Sequence, residues 1–297
     1  MPSLPRPAWR ALILALGHLP QGAMSRVAGR FADLRIPVGL RRPVLAAFAR
    51  AVGIDVDEAE NAIAAYPSIN ALFCRRLRPG ARPWRAEPSG AGSPVDAVIG
   101  QVGRVAGGRV LQAKGRAYSA AELLDDAEEA ERFEGGAFAT FYLSPRHYHR
   151  IHAPCGGLIP LAHHVPGALL PVNAAAVESI PDLFARNERI VAYLDGPLGR
   201  VAVVAIGATH VGRISTEFDP EWSAPEGAAW VTNRPGGAAE TRRYDPPRPI
   251  HAGDELMAFH LGSSVVVLLE PGRAELDPGV VPRREIRVGA PLAHAGG

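Results

Sequence analysis

The sequence predicts an α+β protein, with a mainly antiparallel β catalytic body behind an N-terminal helical segment that associates with a membrane. The chain has 297 residues, 47% of them hydrophobic, enough to bury a large core. Up to about Ala65 its texture is helical, punctuated by Pro37, Gly39 and Pro43. From Pro94 onward, short runs rich in Val, Ile and Phe alternate with Gly and Pro turns, which is the pattern of strands.

In the helical part, Trp9, Leu12, Ile13 and Leu16 recur at i, i+3, i+4 and i+7, so a helix there presents one apolar face. The apolar run from Ala11 to Gly17 is far shorter than the roughly 20 residues that a spanning helix needs. No small-residue cleavage site follows it, as one would in a signal peptide. Through residue 53 the charged residues are Arg6, Arg10, Arg26, Arg30, Arg35, Arg41, Arg42 and Arg50, with Asp33 the only acid. A basic segment with an apolar face suits an anionic phospholipid membrane surface, and the competing fate is docking on the protein's own core. Asp55 to Ala65 reads as an acidic, alanine-rich helix. Residues 1–65 therefore form the helical segment and 66–297 the catalytic domain.

Within the body the expected strands are Val98-Ile99, Phe138 to Leu143, Ile190 to Leu194, Val201 to Ile206, Leu256 to Leu261 and Val265 to Leu269. Ala120 to Phe133 is the one clear helix among them, and Pro220 to Pro249 reads as a surface excursion. A net charge of only +2 argues against a nucleic-acid partner. Two cysteines, Cys74 and Cys155, are too few for a disulfide framework or a thiolate zinc site, which points to a reducing, cytoplasmic setting.

The chemistry-bearing residues cluster in Ser144-Pro145-Arg146-His147-Tyr148-His149-Arg150-Ile151-His152. No carboxylate or thiolate cluster accompanies these imidazoles with metal-site spacing, so no metal is expected. An acid/base role needs one histidine facing a hydroxyl and oriented by a carboxylate. His149 and His152 are the candidate imidazoles, and Asp96, in a turn-like entry to a strand, is the candidate carboxylate. Ser263 interrupts two apolar strands in Leu261-Gly262-Ser263-Ser264, where small residues permit unusual backbone geometry. Alone, Gly-Ser-Ser is an ordinary turn. Other readings of these residues are a serine hydrolase, which lacks a Gly-x-Ser-x-Gly elbow here, and a pyridoxal enzyme, which has only Lys114 for its aldimine. Cys155 as a nucleophile and a small β-barrel carrier or lipid-binding module are weaker still.

Tyr142 to His152 closely resembles the histidine motif of bacterial phosphatidylserine decarboxylases. Similar stretches follow the same order along nearly the whole chain: Ser68 to Pro83, Pro94-Val95-Asp96, Leu111 to Gly115 with Tyr118-Ser119, Val172-Asn173 with Leu183 to Arg189, and Gly207-Ala208-Thr209. Leu261-Gly262-Ser263-Ser264 resembles the family's Leu-Gly-Ser-Thr processing site. The resemblance implies a triad of Asp96, His152 and Ser263, with His149 beside the substrate in binding or proton transfer. It implies self-cleavage between Gly262 and Ser263 into a beta chain, 1–262, and an alpha chain, 263–297, with Ser263 becoming a pyruvoyl cofactor. That group is expected to decarboxylate phosphatidylserine to phosphatidylethanolamine through a Schiff base, as a peripheral enzyme on the cytoplasmic face of the cell membrane. Whether two processed units pair as a dimer is left open. Three positions depart from the family pattern: His147 stands for the usual Asp, Ala97 for Gly and Ser264 for Thr.

Overall fold

The computed structural model describes residues 21–209, 213–222, 231–234, 236–260 and 263–296. The expected amphipathic stretch Trp9 to Leu16, Leu261 and the cleavage residue Gly262 lie outside them. Two helices open the described chain, α1 (Gln21–Asp33) and α2 (Val38–Val52). Pro37 precedes α2, and Gly53 ends it in the left-handed region at φ +80°, its N–H donating to Ala49 O. Leu45 and Ala49, four residues apart, turn one face of α2 inward. A short helix α3 (Ile69–Phe73) is capped by Ser68, whose Oγ accepts from Ala71 N–H at 3.1 Å. These elements close a small core of Leu45, Ala49, Ile54, Ala59, Tyr66, Leu72 and Phe73.

The helix expected from Asp55 to Ala65 does not form; only Ile63–Ala65 makes a 3-10 turn. Asp55 Oδ1 accepts from Asp57 N–H, Glu60 N–H donates to Arg76 O, and Arg78 N–H donates to Glu58 O, so this backbone pairs with the neighbouring segment instead.

The body follows as β1 (Ala91–Gly92), β2 (Ala97–Arg104), β3 (Arg109–Ala113) and β4 (Arg116–Ser119), then helices α4 (Ala120–Leu124) and α5 (Ala127–Arg132). The single helix expected over Ala120 to Phe133 is thus two, because Asp125 adopts φ 55° and Asp126 caps a new start through Glu129 N–H. Next come β5 (Ala137–Tyr142), β6 (Arg150–His152), β7 (Gly157–Val165), and two further short helices that the sequence reading lacked, α6 (Ala174–Ser179) and α7 (Leu183–Arg186). The chain continues as β8 (Arg189–Gly196), β9 (Gly199–Ile206), β10 (Ile214–Thr216), β11 (Glu240–Ile250), β12 (Glu255–Phe259), β13 (Ser264–Leu269), β14 (Ala274–Leu276), β15 (Glu285–Ile286) and β16 (Pro291–Ala295).

Eight strands form one sheet in the order β11-β7-β8-β9-β13-β5-β2-β15, paired antiparallel throughout. Smaller sheets run β10-β12-β6 and β1-β16-β14, and β3 pairs with β4. The prolines of Pro246-Pro247, expected in a surface excursion, sit in edge strand β11 where its register with β7 shifts between Arg243 and Arg248. An edge with a bulge is where a sheet tolerates residues that cannot donate to the ladder. Among the described residues no helix is long and apolar enough to cross a bilayer.

Strand β13 begins one residue after Ser263 and lies between β9 and β5. All six of its residues are buried. Beyond it, β15 pairs with β2, and β16 joins β14 to β1. A cut before Ser263 therefore leaves the downstream chain threaded through the main sheet. Asp33 pairs with Arg213 and Glu58 with Arg287 across the boundary between the helical segment and the body, and the most buried of these links is the guanidinium of Arg82. Arg82 Nη1 and Nη2 donate to Glu58 Oε1 and Oε2 at 3.0 and 2.6 Å, while Nε and Nη2 donate to the Asp96 carboxylate at 2.6–2.9 Å. These bonds to Arg82 are the main cause holding the Glu58 carboxyl below its usual range, against the opposing effect of burial.

Two outcomes are expected. After a cut at 262/263 the two chains elute together on size exclusion without denaturant and separate only in denaturant; dissociation in native buffer would contradict the strand order. Arg82→Met, which strips the counter-charge from two carboxylates, lowers stability by about 3 kcal/mol at pH 7. Because the Glu58 pKa is depressed, its contribution is present above the ordinary value of 4.5 and fades as pH falls, so urea midpoints of R82M and wild type converge in acid.

Candidate functional site

Asp96 ends a turn held by its own first residue. Ser93 Oγ donates to Val95 O at 2.8 Å, Ser93 N–H donates to Ala290 O at 2.7 Å, and Gly289 N–H donates to Ser93 O at 3.0 Å. From the same turn Pro94 O accepts His152 N–H at 2.8 Å. The Asp96 carboxylate faces Arg82 and also accepts Val288 N–H at 2.9 Å. Asp96 thus joins the helical segment, the strand that bears His152, and the chain downstream of the expected cut.

His152 is largely buried, and its two ring nitrogens have different partners. Nδ1 lies 2.7 Å from Gly253 O, a group that can only accept, so Nδ1 carries the proton. Nε2 is then an acceptor, 3.2 Å from the Tyr148 hydroxyl, and the two rings pack with centroids 5.6 Å apart. Burial lowers the His152 pKa from 6.5, while the hydrogen bond to Gly253 and the charges of Glu255 and Asp96 pull the other way. The sequence reading gave the orienting role to Asp96; in the structure Gly253 O takes that contact and Asp96 acts on the ring by its charge. Gly253 suits this place, since at φ +86° any Cβ would meet Trp84 Cε3 at 3.0 Å.

His149 is fully buried against Phe73, ring centroids 4.0 Å apart, and neither of its nitrogens has a hydrogen-bond partner among the described residues. Burial and the nearby Arg75 charge hold its pKa well below 6.5. His147, where the family pattern has Asp, accepts Ser144 N–H on Nδ1 at 3.0 Å and is likewise lowered by burial. A neutral imidazole supplies an acceptor there, with no negative charge.

Ser263 is fully buried, its carbonyl accepts Leu143 N–H at 2.8 Å, and its Oγ has no partner among the described residues. The structure thus anchors Ser263 at the end of β5, where the histidine segment begins. No hydrogen bond joins Ser263 to Asp96, His149 or His152 among the described residues. Beside the next residue, Ser264, lies a cavity of about 190 Å³, lined by Gln101, Gln112, Thr140, Tyr142, Val172 and Phe184 among others. Gln112 is fixed by two donated bonds, to Val177 O and Ile180 O, and one accepted from Leu183 N–H. Four separate stretches of the family resemblance, those of Gln112, Tyr142, Val172 with Phe184, and Ser264, meet around this cavity.

The competing nucleophiles fare differently. Cys155 is buried and its thiol is pushed up to about 12, so it carries negligible thiolate at neutral pH. Lys114 is more than half exposed and paired with Glu178 at 2.6 Å. Among the described residues no group of three or more His, Cys, Asp or Glu is placed to hold a metal ion. Sequence reasoning missed Gly253 and Tyr148 as the partners of His152, Arg82 as the partner of Asp96, and Arg75. Only Tyr148 had a signal, its place four residues before His152 inside the motif.

The phosphatidylserine decarboxylase family model matches residues 69–294. A phosphatidylserine decarboxylase proenzyme of Anaeromyxobacter sp. (strain K) is 47% identical over 286 residues, covering 96% of this chain and 99% of that protein. Proteins of the same name from Myxococcus xanthus (strain DK1622) and Acidovorax ebreus (strain TPSY) are 42% and 41% identical, covering 91% and 96% of this chain and 93% and 98% of their own. The chain therefore belongs to the phosphatidylserine decarboxylase family of decarboxylating enzymes.

Proposed function

We propose that this protein converts phosphatidylserine to phosphatidylethanolamine, a step of phospholipid biosynthesis, with a pyruvoyl group that it makes from its own Ser263. The observation that carries this reading is the Ser263 hydroxyl: buried, unpartnered among the described residues, and one residue before a strand locked in the sheet. A buried hydroxyl without a partner is an unusual expense in a folded protein, and a residue destined for chemical conversion accounts for it.

In this mechanism Ser263 Oγ gives its proton to His152 Nε2, directly or through the Tyr148 hydroxyl that Nε2 contacts, and attacks the Gly262 carbonyl. The Oγ–carbonyl bond forms, the Gly262–Ser263 amide bond breaks, and the proton passes to the freed Ser263 amine. Loss of the Ser263 α-proton then expels the Gly262 carboxylate, and water replaces the nitrogen, leaving as ammonia. Asp96 ends the Ser93 turn that carries Pro94 O to His152 and adds a favourable charge. A pyruvoyl group in place of Ser263 would supply an electrophilic carbonyl for the substrate amine and an electron sink for decarboxylation. His149, which burial keeps neutral at pH 7, would accept and return a proton at the reacting carbon. The cavity beside Ser264 offers room for the substrate.

A lipid substrate calls for a membrane-facing surface. Phe31 (67% exposed), Leu34, Val38 (75% exposed) and Leu40 stand out from α1, α2 and the link between them, amid Arg30, Arg35, Arg41 and Arg42. Apolar side chains ringed by arginines fit the cytoplasmic face of an anionic membrane, each arginine contributing about 1 kcal/mol near the surface.

Intact mass of purified protein is expected to give a chain starting at residue 263 with a pyruvoyl terminus. S263A and H152A should stay as one chain, while H149A is cut yet decarboxylates at least about 100-fold more slowly. Active, uncut wild type would sink the mechanism. Because the His152 pKa is lowered, the base is lost only in acid, so the fall in cleavage rate should lie below pH 6.5. For the membrane reading, F31S/L34S should weaken co-sedimentation with phosphatidylglycerol-rich vesicles and added salt should do the same; binding indifferent to both would refute it.

A further inference from the structure

Eleven buried side-chain polar atoms lack a hydrogen-bond partner among the described residues, and six of them belong to Tyr66, Arg75, His149 and Ser263. The most demanding member is Arg75. It is 3% exposed, its Nε and Nη1 are both orphaned, and among the described residues no side-chain hydrogen bond or ion pair involves it. A guanidinium stays charged under all ordinary conditions, and leaving it buried without an acceptor costs several kcal/mol. The two acids within its electrostatic reach, Glu58 and Asp96, are already held by the fork of Arg82. The same charge is felt by His149, and Phe73, two residues earlier in the chain, stacks on that ring. Arg75 is thus a spare cation with open donors, within electrostatic reach of both Asp96 and His149.

Resting on the decarboxylase reading above, we propose that Arg75 is the phosphate receptor of the site: its guanidinium binds the phosphodiester of the substrate headgroup and selects amines that carry one. The substrate brings two anions, and the chemistry chooses between them. The carboxylate must shed its charge as carbon dioxide departs, so a guanidinium fixed on it would stabilise the ground state more than the transition state. The phosphodiester keeps its charge throughout, and holding it raises no barrier. Planar guanidinium donors also match phosphate oxygens two at a time. The Tyr66 hydroxyl, also buried and unpartnered, is a further donor in Arg75's vicinity.

The test uses self-processed enzyme, normalised to its pyruvoyl terminus by intact mass. Glycerophosphoserine and O-methylserine share the amine and carboxylate and differ in the phosphodiester. Wild type should favour glycerophosphoserine by on the order of 10- to 100-fold in kcat/KM, the worth of hydrogen bonds to a charged group. In R75Q that preference should collapse toward unity through a rise in KM, and R75K should keep part of it. Equal losses on both substrates, with the preference intact, would overturn the proposal and leave Arg75 a structural or carboxylate-binding residue. Should R75Q fail to fold, calorimetric titration of wild type decides: glycerophosphate should bind where acetate at the same concentration does not, and no difference between them overturns the idea. Absence of the pyruvoyl terminus strikes at the processing reading, whereas its presence with an unselective wild-type enzyme strikes at Arg75 alone.

Discussion

The structure turns on the placement of one strand. β13 is completely buried and hydrogen-bonded on both sides, to β9 from Ser264 through Leu269 and to β5 from Ser264 through Leu268. Its apolar run, Val265 to Leu269, could not be released without opening the middle of the main sheet and exposing side chains worth about 1.5–3 kcal/mol each. A peptide bond just upstream can therefore be sacrificed at little cost to the fold. The new chain terminus at residue 263 would stay where Leu143 N–H holds it. The proposed self-cleavage would leave the active site fixed because its cut would fall at the entry to such a strand.

The second constraint is electrostatic. Arg82 collects Glu58 and Asp96, and Asp96 in turn receives the backbone of Val288 from the downstream chain. The helical segment, the body and the C-terminal stretch meet at one carboxylate. With both acids committed there, the histidine wall is left with a cation, Arg75, and with imidazoles that burial keeps neutral. That combination suits a centre that must move protons at neutral pH while receiving an anionic substrate.

Five of the eight strands of the main sheet were legible in the sequence, because central strands buried on both faces read as unbroken apolar runs, as in Ile190 to Leu194 and Val201 to Ile206; β7, whose run carries Pro160, His163 and His164, and the two-residue β15 were not. Edge strand β11 was not, since its charges and prolines follow the solvent and the bulge. Asp55 to Ala65 misled because helix propensity is a weak prior, and the partner backbone at Arg76 and Arg78 outbid it. The candidate residues themselves were legible only through the motif. Their geometry was not: the acceptor for His152 is a backbone carbonyl 101 positions away, which no side-chain pattern encodes.

His152 shows why that hidden contact matters. A catalytic imidazole needs one nitrogen protonated and the other free to accept, and the usual device is a carboxylate on the far nitrogen. A carboxylate would also raise the ring's pKa and favour the charged form. The Gly253 carbonyl fixes the same tautomer with a weaker pull, and burial prevails, so the ring remains a neutral base. Asp96, pinned by Arg82, supplies charge from a distance without becoming a proton partner. The arrangement sets the tautomer by a backbone atom and the basicity by burial, two properties that a single Asp–His contact would have bound together.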